Sequence, residues 1–210
     1  MTLRPARIHD FDERALDGEA TEVATFALGC FWGPDARFGS LDGVVRTRVG
    51  YAGGTKPDPS YHALGDHTEV FQVDYDPAVV SYTDLLDRVF RAHDPYSQSR
   101  KTQYQHVVFT ASAAQRDALE AFLAAADLDP DAIETRIEAL SRFFPAEDYH
   151  QKHSLRARPP LLGPFEEAGY DDEAIRESPA AAALNGYAAG ETVGVADELG
   201  LTDNETAPSR

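Results

Sequence analysis

Cysteine and tryptophan are almost absent from this chain: its 210 residues hold one of each. A single cysteine cannot form an intramolecular disulfide, so no disulfide framework braces the fold, and a reducing cytoplasmic compartment is the expectation. Lysine is nearly as scarce. Of 19 basic residues only Lys56, Lys101 and Lys152 are lysine, against 36 acidic residues and a formal net charge of −17. No basic stripe is present to neutralise phosphates, which argues against nucleic-acid binding. So much acid with so little lysine points to a soluble, salt-adapted (halophilic) chain, whose dense acidic surface stays hydrated while salt screens its self-repulsion. Long apolar runs are missing too. None approaches the ~20 residues needed to cross a bilayer, and the polar stretch Met1 to Ala20 has no signal-peptide core.

What is present falls into a regular order. Glu22 to Leu28 reads as a buried strand, Pro34 to Leu41 as a short helix, and Val44 to Tyr51 as a second strand. Ala52-Gly53-Gly54 and the proline-rich stretch Lys56 to Tyr61 form a loop. Val70 to Tyr75 is the clearest alternating strand. Ser81 is a good N-cap for a helix from Tyr82 to Ala92, with Leu85, Leu86, Val89 and Phe90 on one face. Gln105 to Thr110 is a further strand, Ser112 to Ala126 an alanine-rich helix, and Ala132 to Ile137 opens a fifth strand. The β-α-β-β-α-β order with an added helix and strand predicts an α/β (α+β) fold. The expected architecture is a ferredoxin-like two-layer sandwich with a mainly antiparallel sheet. Beyond Leu155 the chain is rich in Pro, Gly, Ala and acid and reads as a long irregular C-terminal segment. The expected organisation is a loosely held arm over 1–20, a catalytic domain over 21–165 and a partly disordered extension over 166–210.

Both rare residues sit in Gly29-Cys30-Phe31-Trp32-Gly33, at the junction of the first strand and the first helix. Gly29 permits a sharp turn, and Gly33-Pro34 suits a helix start. A thiol there lies near orphan backbone N–H groups and the positive end of a helix dipole, which favour thiolate. Phe31 and Trp32 supply aromatic walls for a small apolar group. Other polar residues fall in loops at strand ends: Tyr61, then Asp66-His67-Thr68-Glu69, then His93-Asp94-Pro95 and Thr102-Gln103-Tyr104. A carboxyl at a strand mouth, kept protonated by apolar neighbours, can serve as a general acid, and two phenols can hydrogen-bond an oxygen.

Taken together these stretches resemble the A class of peptide methionine sulfoxide reductases. The resemblance rests on Gly29-Cys30-Phe31-Trp32-Gly33, Val49 to Gly54, His67-Thr68-Glu69, Val73 to Pro77, His93-Asp94-Pro95, Thr102-Gln103-Tyr104 and Ala146 to Gln151, in family order over about residues 22–155. It implies Cys30 as the nucleophile on the sulfoxide sulfur, and Phe31 and Trp32 as the pocket for the substrate methyl. It implies Glu69 as the acid that protonates the sulfoxide oxygen, and Tyr61 and Tyr104 as the phenols that orient it. Gly29, His150 and Asp148 are candidates for supporting roles. The implied activity is thiol-dependent reduction of methionine-S-sulfoxide, free or in proteins, through a Cys30 sulfenic acid. No bound cofactor is expected. The implied partners are oxidised methionine and an external thiol: thioredoxin, a glutaredoxin-like protein or a low-molecular-weight thiol. A monomer is expected.

The chain departs from the family pattern at several places. Many members carry further cysteines near a terminus that resolve the sulfenic acid, and this chain has none. Between His93-Asp94-Pro95 and Thr102-Gln103-Tyr104 members usually have a longer connection with a Gly-Asn-Asp run, whose aspartate supports the substrate site. Here only Tyr96 to Lys101 intervenes, with Ser97 and Ser99 as candidates to replace that hydrogen bond. His153 stands where a tyrosine is more usual. His62, His67, His150 and His153 also raise the question of a zinc site. With no second cysteine and no HExxH pattern, no metal is expected. The rival functions are a module that binds methionine or its sulfoxide without turnover, and a thiol peroxidase.

Overall fold

Alternation along the central strands sorts their side chains onto two faces, and the computed structural model, which describes residues 3–17 and 21–201, shows both faces covered. In chain order the elements are α1 (Pro5–Leu16), β1 (Glu22–Leu28), α2 (Trp32–Gly39), β2 (Val44–Ala52), β3 (Thr68–Tyr75), α3 (Tyr82–Arg91), β4 (His106–Thr110), α4 (Ala113–Ala125), β5 (Arg136–Ala139), β6 (Phe144–Pro145), α5 (His153–Arg156), α6 (Pro159–Glu167), α7 (Asp172–Glu177), α8 (Pro179–Ala189) and α9 (Ala196–Leu199). The sheet order is β5-β4-β1-β3-β2-β6, antiparallel throughout except for the parallel pair β4–β5. Its middle, β4-β1-β3-β2, is the ferredoxin-like arrangement expected. The parallel pair follows from the crossover through α4.

Phe26 of β1, Phe71, Val73 and Tyr75 of β3 and Val108 of β4 join Phe38, Leu85, Leu86 and Leu119 of the helices in the main core. Each such large side chain contributes about 1.5–3 kcal/mol through burial. Alternate residues Ala27, Val70, Val107 and Phe109 face the other side, under Leu140 and Phe143. The α3 N-terminus is a capping box: Ser81 accepts from the Asp84 amide while the Asp84 side chain accepts from the Ser81 amide. Several boundaries differ from expectation. The first helix after β1 starts earlier, at Trp32, and the fifth strand starts later, at Arg136. Glu134 and Thr135 are held back because their amides donate to Pro95 O (2.8 and 3.1 Å).

Both termini correct the sequence reading. The arm expected to be loose contains α1, whose Ile8 is fully buried. Asp12 of α1 caps α8 from outside: its carboxylate accepts from the Ala180 amide (2.7 Å) and the Tyr170 hydroxyl (2.9 Å). The segment after Leu155, expected to be irregular, is mostly helical as far as α9 and builds a second core from Leu155, Phe165, Ile175, Leu184 and Leu199. Alanine and glycine there mark close packing rather than disorder. Helix α8 is apolar on almost every side and is buried against α2. A Cβ at Gly39 would lie 2.6 Å from Ala182 O, and one at Gly186 would lie 2.6 Å from Ser40 Cβ. Residues 202–210, part of the tail expected to be disordered, lie outside the described residues.

One buried ion pair joins these layers. Lys152, fully buried and in the left-handed region (φ 53°), reaches Asp35 Oδ1 of α2 (3.3 Å) and donates to Thr47 O of β2 (2.6 Å). Asn185 of α8 donates to Asp35 Oδ2 (3.0 Å) and accepts from the Leu155 amide (3.0 Å). Lys152→Met leaves Asp35 as an uncompensated buried charge, and urea unfolding is expected to show a loss of about 3–5 kcal/mol. Arg91→Ala, which breaks the exposed pair with Asp87, is expected to change stability by less than ~0.5 kcal/mol. Equal losses in the two variants would refute this placement of the burden.

Candidate active site

The turn out of β1 sets the nucleophile. Gly29 lies in the left-handed region (φ 76°), which a side chain would strain, and it sits beside the Tyr104 backbone. The chain then enters α2 at Trp32, so Cys30 stands exposed at the mouth of the helix. The Trp32 amide hydrogen-bonds the thiol, as the strand-to-helix junction predicts. Its effect is outweighed. Burial on the cleft side pushes the Cys30 thiol up, the Trp32 N–H pulls it down, and the charge of Glu69 adds to the rise. The resting site therefore holds a thiol where helix position alone suggested a thiolate.

Glu69 comes from β3, opposite Tyr51 of β2. It is 1% exposed. Its Oε2 accepts from the Phe31 amide (3.2 Å) and its Oε1 from Gln103 Nε2 (2.7 Å). Burial raises its pKa against the pull of those two donors. The carboxyl thus sits one residue from the nucleophile and is biased toward the protonated form that an acid needs.

The phenols converge from two loops. Tyr61 packs its ring 4.7 Å from that of His150. The Tyr104 hydroxyl is pushed up by desolvation, by the Glu69 charge and by a hydrogen bond to Tyr61, so this phenol keeps its proton. The structure brings Cys30, Phe31, Trp32, Glu69, Tyr61, Tyr104 and His150 together in one cluster. His150 is buried. Its Nδ1 accepts from Trp32 Nε1 (3.2 Å), and its ring lies against Phe31 (5.2 Å) and Tyr149 (4.2 Å). Burial lowers its pKa; Glu147 opposes this, while His153 and His62 reinforce it. It therefore stays neutral and keeps the lone pair that holds the indole. His153 stacks on the other ring of that pair, with its centroid 3.8 Å from Trp32 and the planes at 11°.

Asp148 is not drawn into this cluster. It is exposed, and its neighbour Glu147 holds the site instead. Glu147 accepts from the Tyr51 hydroxyl (2.7 Å) and the Tyr61 amide (2.9 Å). Burial works to raise it, but the Tyr61 amide, its own amide and the Tyr51 hydroxyl hold it below the usual carboxylate range. Sequence reasoning chose the wrong one of two adjacent carboxylates, because only the turn geometry at Asp148–His150 decides which points inward. Tyr51, Glu147 and Gln103 are the contacts it missed. The pairing of Tyr51 with Glu69 across two inward-facing strands was the available signal for the first.

The short loop over 96–101 is closed on itself. Ser99 Oγ accepts from the Lys101 amide (3.2 Å), and His106 is hydrogen-bonded to the Ser97 backbone. Neither serine hydroxyl is bonded to the site residues, so neither supplies the replacement hydrogen bond. Gln98 fixes the loop through His106 O and Glu134 O (3.0 Å each). His67 uses both ring nitrogens on the Gly54 amide (3.2 Å) and Lys56 O (2.8 Å), which shape the loop that carries Tyr61. No group of three His, Cys, Asp or Glu side chains among the described residues is placed to hold a metal ion.

Comparison with known proteins shows what the chain as a whole is similar to. The family model described as peptide methionine sulfoxide reductase matches residues 22–162. Peptide methionine sulfoxide reductase A5 of Oryza sativa subsp. japonica is 41% identical over 182 residues, covering 81% of this chain and 69% of that protein. A peptide methionine sulfoxide reductase of Haloquadratum walsbyi is 41% identical over 143 residues, covering 63% of this chain and 82% of its own. The solved methionine sulfoxide reductase A of Corynebacterium diphtheriae superposes with a TM-score of 0.56 at 34% identity, covering 68% of this chain and 77% of that one. With more than half of its length matched by the family model, this chain belongs to the peptide methionine sulfoxide reductase family.

Proposed function

We propose that this protein reduces methionine-S-sulfoxide, free or within proteins, to methionine at the expense of thiols. The observation that carries the reading is the Phe31 amide on Glu69 Oε2 (3.2 Å), which sets a buried acid beside the nucleophile and its aromatic walls. A sulfoxide sulfur is a poor electrophile until its oxygen is protonated or strongly hydrogen-bonded. The substrate methyl lies against Phe31 and Trp32, and its oxygen faces Tyr61, Tyr104 and the Glu69 proton. Cys30 ionises and attacks the sulfur as Glu69 protonates the oxygen. The protonated oxygen then passes from the substrate sulfur to the Cys30 sulfur as the newly formed S–S bond breaks, so methionine leaves and Cys30 is left as a sulfenic acid. The proton that Cys30 gave up restores Glu69. A methyl-binding wall has no use in a peroxidase, and an acid beside a thiol has none in a simple binding module.

Recycling falls to an external reductant, because the chain contains no second cysteine. One thiol of thioredoxin, a glutaredoxin-like protein or a small thiol displaces water from the sulfenic acid and forms a mixed disulfide; a second thiol releases Cys30 by exchange. No bound cofactor takes part in this scheme. We read residues 21–165 as the catalytic domain of a monomeric, salt-adapted cytoplasmic repair enzyme, a reading supported by the acidic, lysine-poor composition and the lone cysteine. No helix among the described residues is long and apolar enough to cross a membrane.

Cys30→Ser is expected to abolish reduction while leaving the fold intact, since a serine hydroxyl is too weakly acidic to supply the attacking anion. Retained turnover in that variant would remove Cys30 from the mechanism. Glu69→Gln keeps an acceptor for the Phe31 amide and gains an N–H donor but has no transferable proton, and turnover of methionine-S-sulfoxide with dithiothreitol is expected to fall roughly 10²–10⁴-fold. An unaffected rate would assign the proton to another group. Without reductant, one equivalent of methionine should form per chain, and mass spectrometry should find sulfenic acid at Cys30. A Cys30–Cys30 disulfide between chains as the main product would overturn the external-thiol scheme.

A further inference from the structure

Glu69 has to exist in two protonation states during each turnover, and its partners must suit both. Phe31 N–H is a donor only, so it suits Glu69 Oε2 in either state as an acceptor. The proton must therefore reside on Oε1, where Gln103 Nε2 donates at 2.7 Å. A glutamine head carries a donor and an acceptor on one plane. A half-turn about its last bond replaces the N–H with a carbonyl oxygen that accepts from a protonated carboxyl.

The structure holds that head in place. Gln103 is half-buried in the middle of the short 3₁₀ turn Thr102–Tyr104. Thr68, the residue before Glu69, donates its hydroxyl to Thr102 O (2.9 Å). Arg136 of β5 donates to Gln105 Oε1 (2.7 Å), just past the turn. The strand that carries the acid and the turn that carries its partner are thus tied together at adjacent residues. The same turn presents Tyr104, so the acid and one phenol are set by a single element.

We infer that Gln103 is a positioning residue for the acid, presenting its amide N–H to the Glu69 carboxylate and its amide oxygen to the protonated form. This rests on Glu69 being the acid of the proposed reaction. As a donor it stabilises the carboxylate and pulls Glu69 down against the larger upward push of burial. As an acceptor it keeps the proton on Oε1 until the sulfoxide oxygen takes it.

The test reads Glu69 directly. In a Cys30→Ser background, which removes the titrating thiol, infrared difference spectra follow the carbonyl stretch of the protonated Glu69 carboxyl against pH, with Glu69→Gln added as the blank. Gln103→Met, close in shape but without donor or acceptor, is expected to move the midpoint of that band to higher pH, because the charge-assisted bond lost by the carboxylate is stronger than the neutral one lost by the protonated carboxyl. In the enzyme with Cys30 restored, Gln103→Met is expected to lower kcat roughly 10- to 100-fold and to change KM for methionine sulfoxide by less than about threefold. Should the methionine variant fail to fold, Gln103→Glu serves in its place. Its carboxyl must share one proton with Glu69, so the midpoint again moves up. An unmoved midpoint with normal kcat would overturn the role of Gln103. Unchanged turnover in a Glu69→Gln enzyme that keeps Cys30 would instead overturn Glu69 as the acid.

Discussion

The buried contact between Lys152 and Asp35 is the point on which the arrangement of the site depends. Asp35 lies in the first turn of α2, the helix that Cys30 precedes and Trp32 opens. Lys152 ends the segment that supplies Glu147 and His150 and begins the helix that supplies His153. Thr47 places β2 in the same contact, and Asn185 places α8 there. A buried ion pair contributes little stability beyond what well-packed apolar residues would give, but it tolerates almost no displacement, because either charge left alone is costly. Gln151 adds to the constraint: its amide pairs with both the N–H and the C=O of Val49 (3.0 and 2.8 Å) as a neighbouring strand would. The wall that holds Trp32 and the helix that carries it are therefore fixed to each other before any substrate arrives.

Given that frame, the chemistry is governed by how little negative charge the cleft accepts. Burial raises both Cys30 and Glu69, and the charge of Glu69 raises Cys30 further. The one carboxylate favoured in its ionised form is Glu147, and it is fully engaged by Tyr51 and Tyr61. Two anions in contact are thus avoided at rest. Transfer of the Glu69 proton to the sulfoxide oxygen coincides with the loss of negative charge from Cys30 as its new bond forms. Neither step leaves Cys30 and Glu69 charged together, which is the condition a low-dielectric site imposes on two acids in contact.

Much of this was legible from residue pattern alone. The strands were legible because both faces of the sheet are covered, so alternation and apolar runs coincide. Ser81 marked the start of α3 correctly, and the alanine-rich helix read from Ser112 begins one residue later with Ser112 as its cap. The rare Gly-Cys-Phe-Trp stretch marked the site. Long-range hydrogen bonding was not legible. Nothing local separates Glu147 from Asp148, or singles out Gln103 from other loop glutamines. Helix α8 was misread because small residues were taken for loop formers. Ser178 accepting from the Ala181 amide, Pro179 in the first turn and Gly190 in the left-handed region (φ 93°) are nevertheless proper start and stop signals around it.

The fate of α8 also bears on how the enzyme is recycled. A segment that delivers a resolving group to an exposed sulfenic acid has to leave its resting place in every cycle. Here α8 crosses α2 so closely that Gly39 and Gly186 admit no side chain, Asn185 caps the buried ion pair, and Asp12 of α1 caps the helix itself. Withdrawing it would expose Asp35 and Lys152 and empty the second core. The residues between 155 and 201 are thus bound into the fold at several independent points, and Cys30 remains exposed at the opening of the cleft. A sulfur accessible from outside, in a chain whose following helices are committed to structure, is suited to reduction by a thiol that arrives from solution.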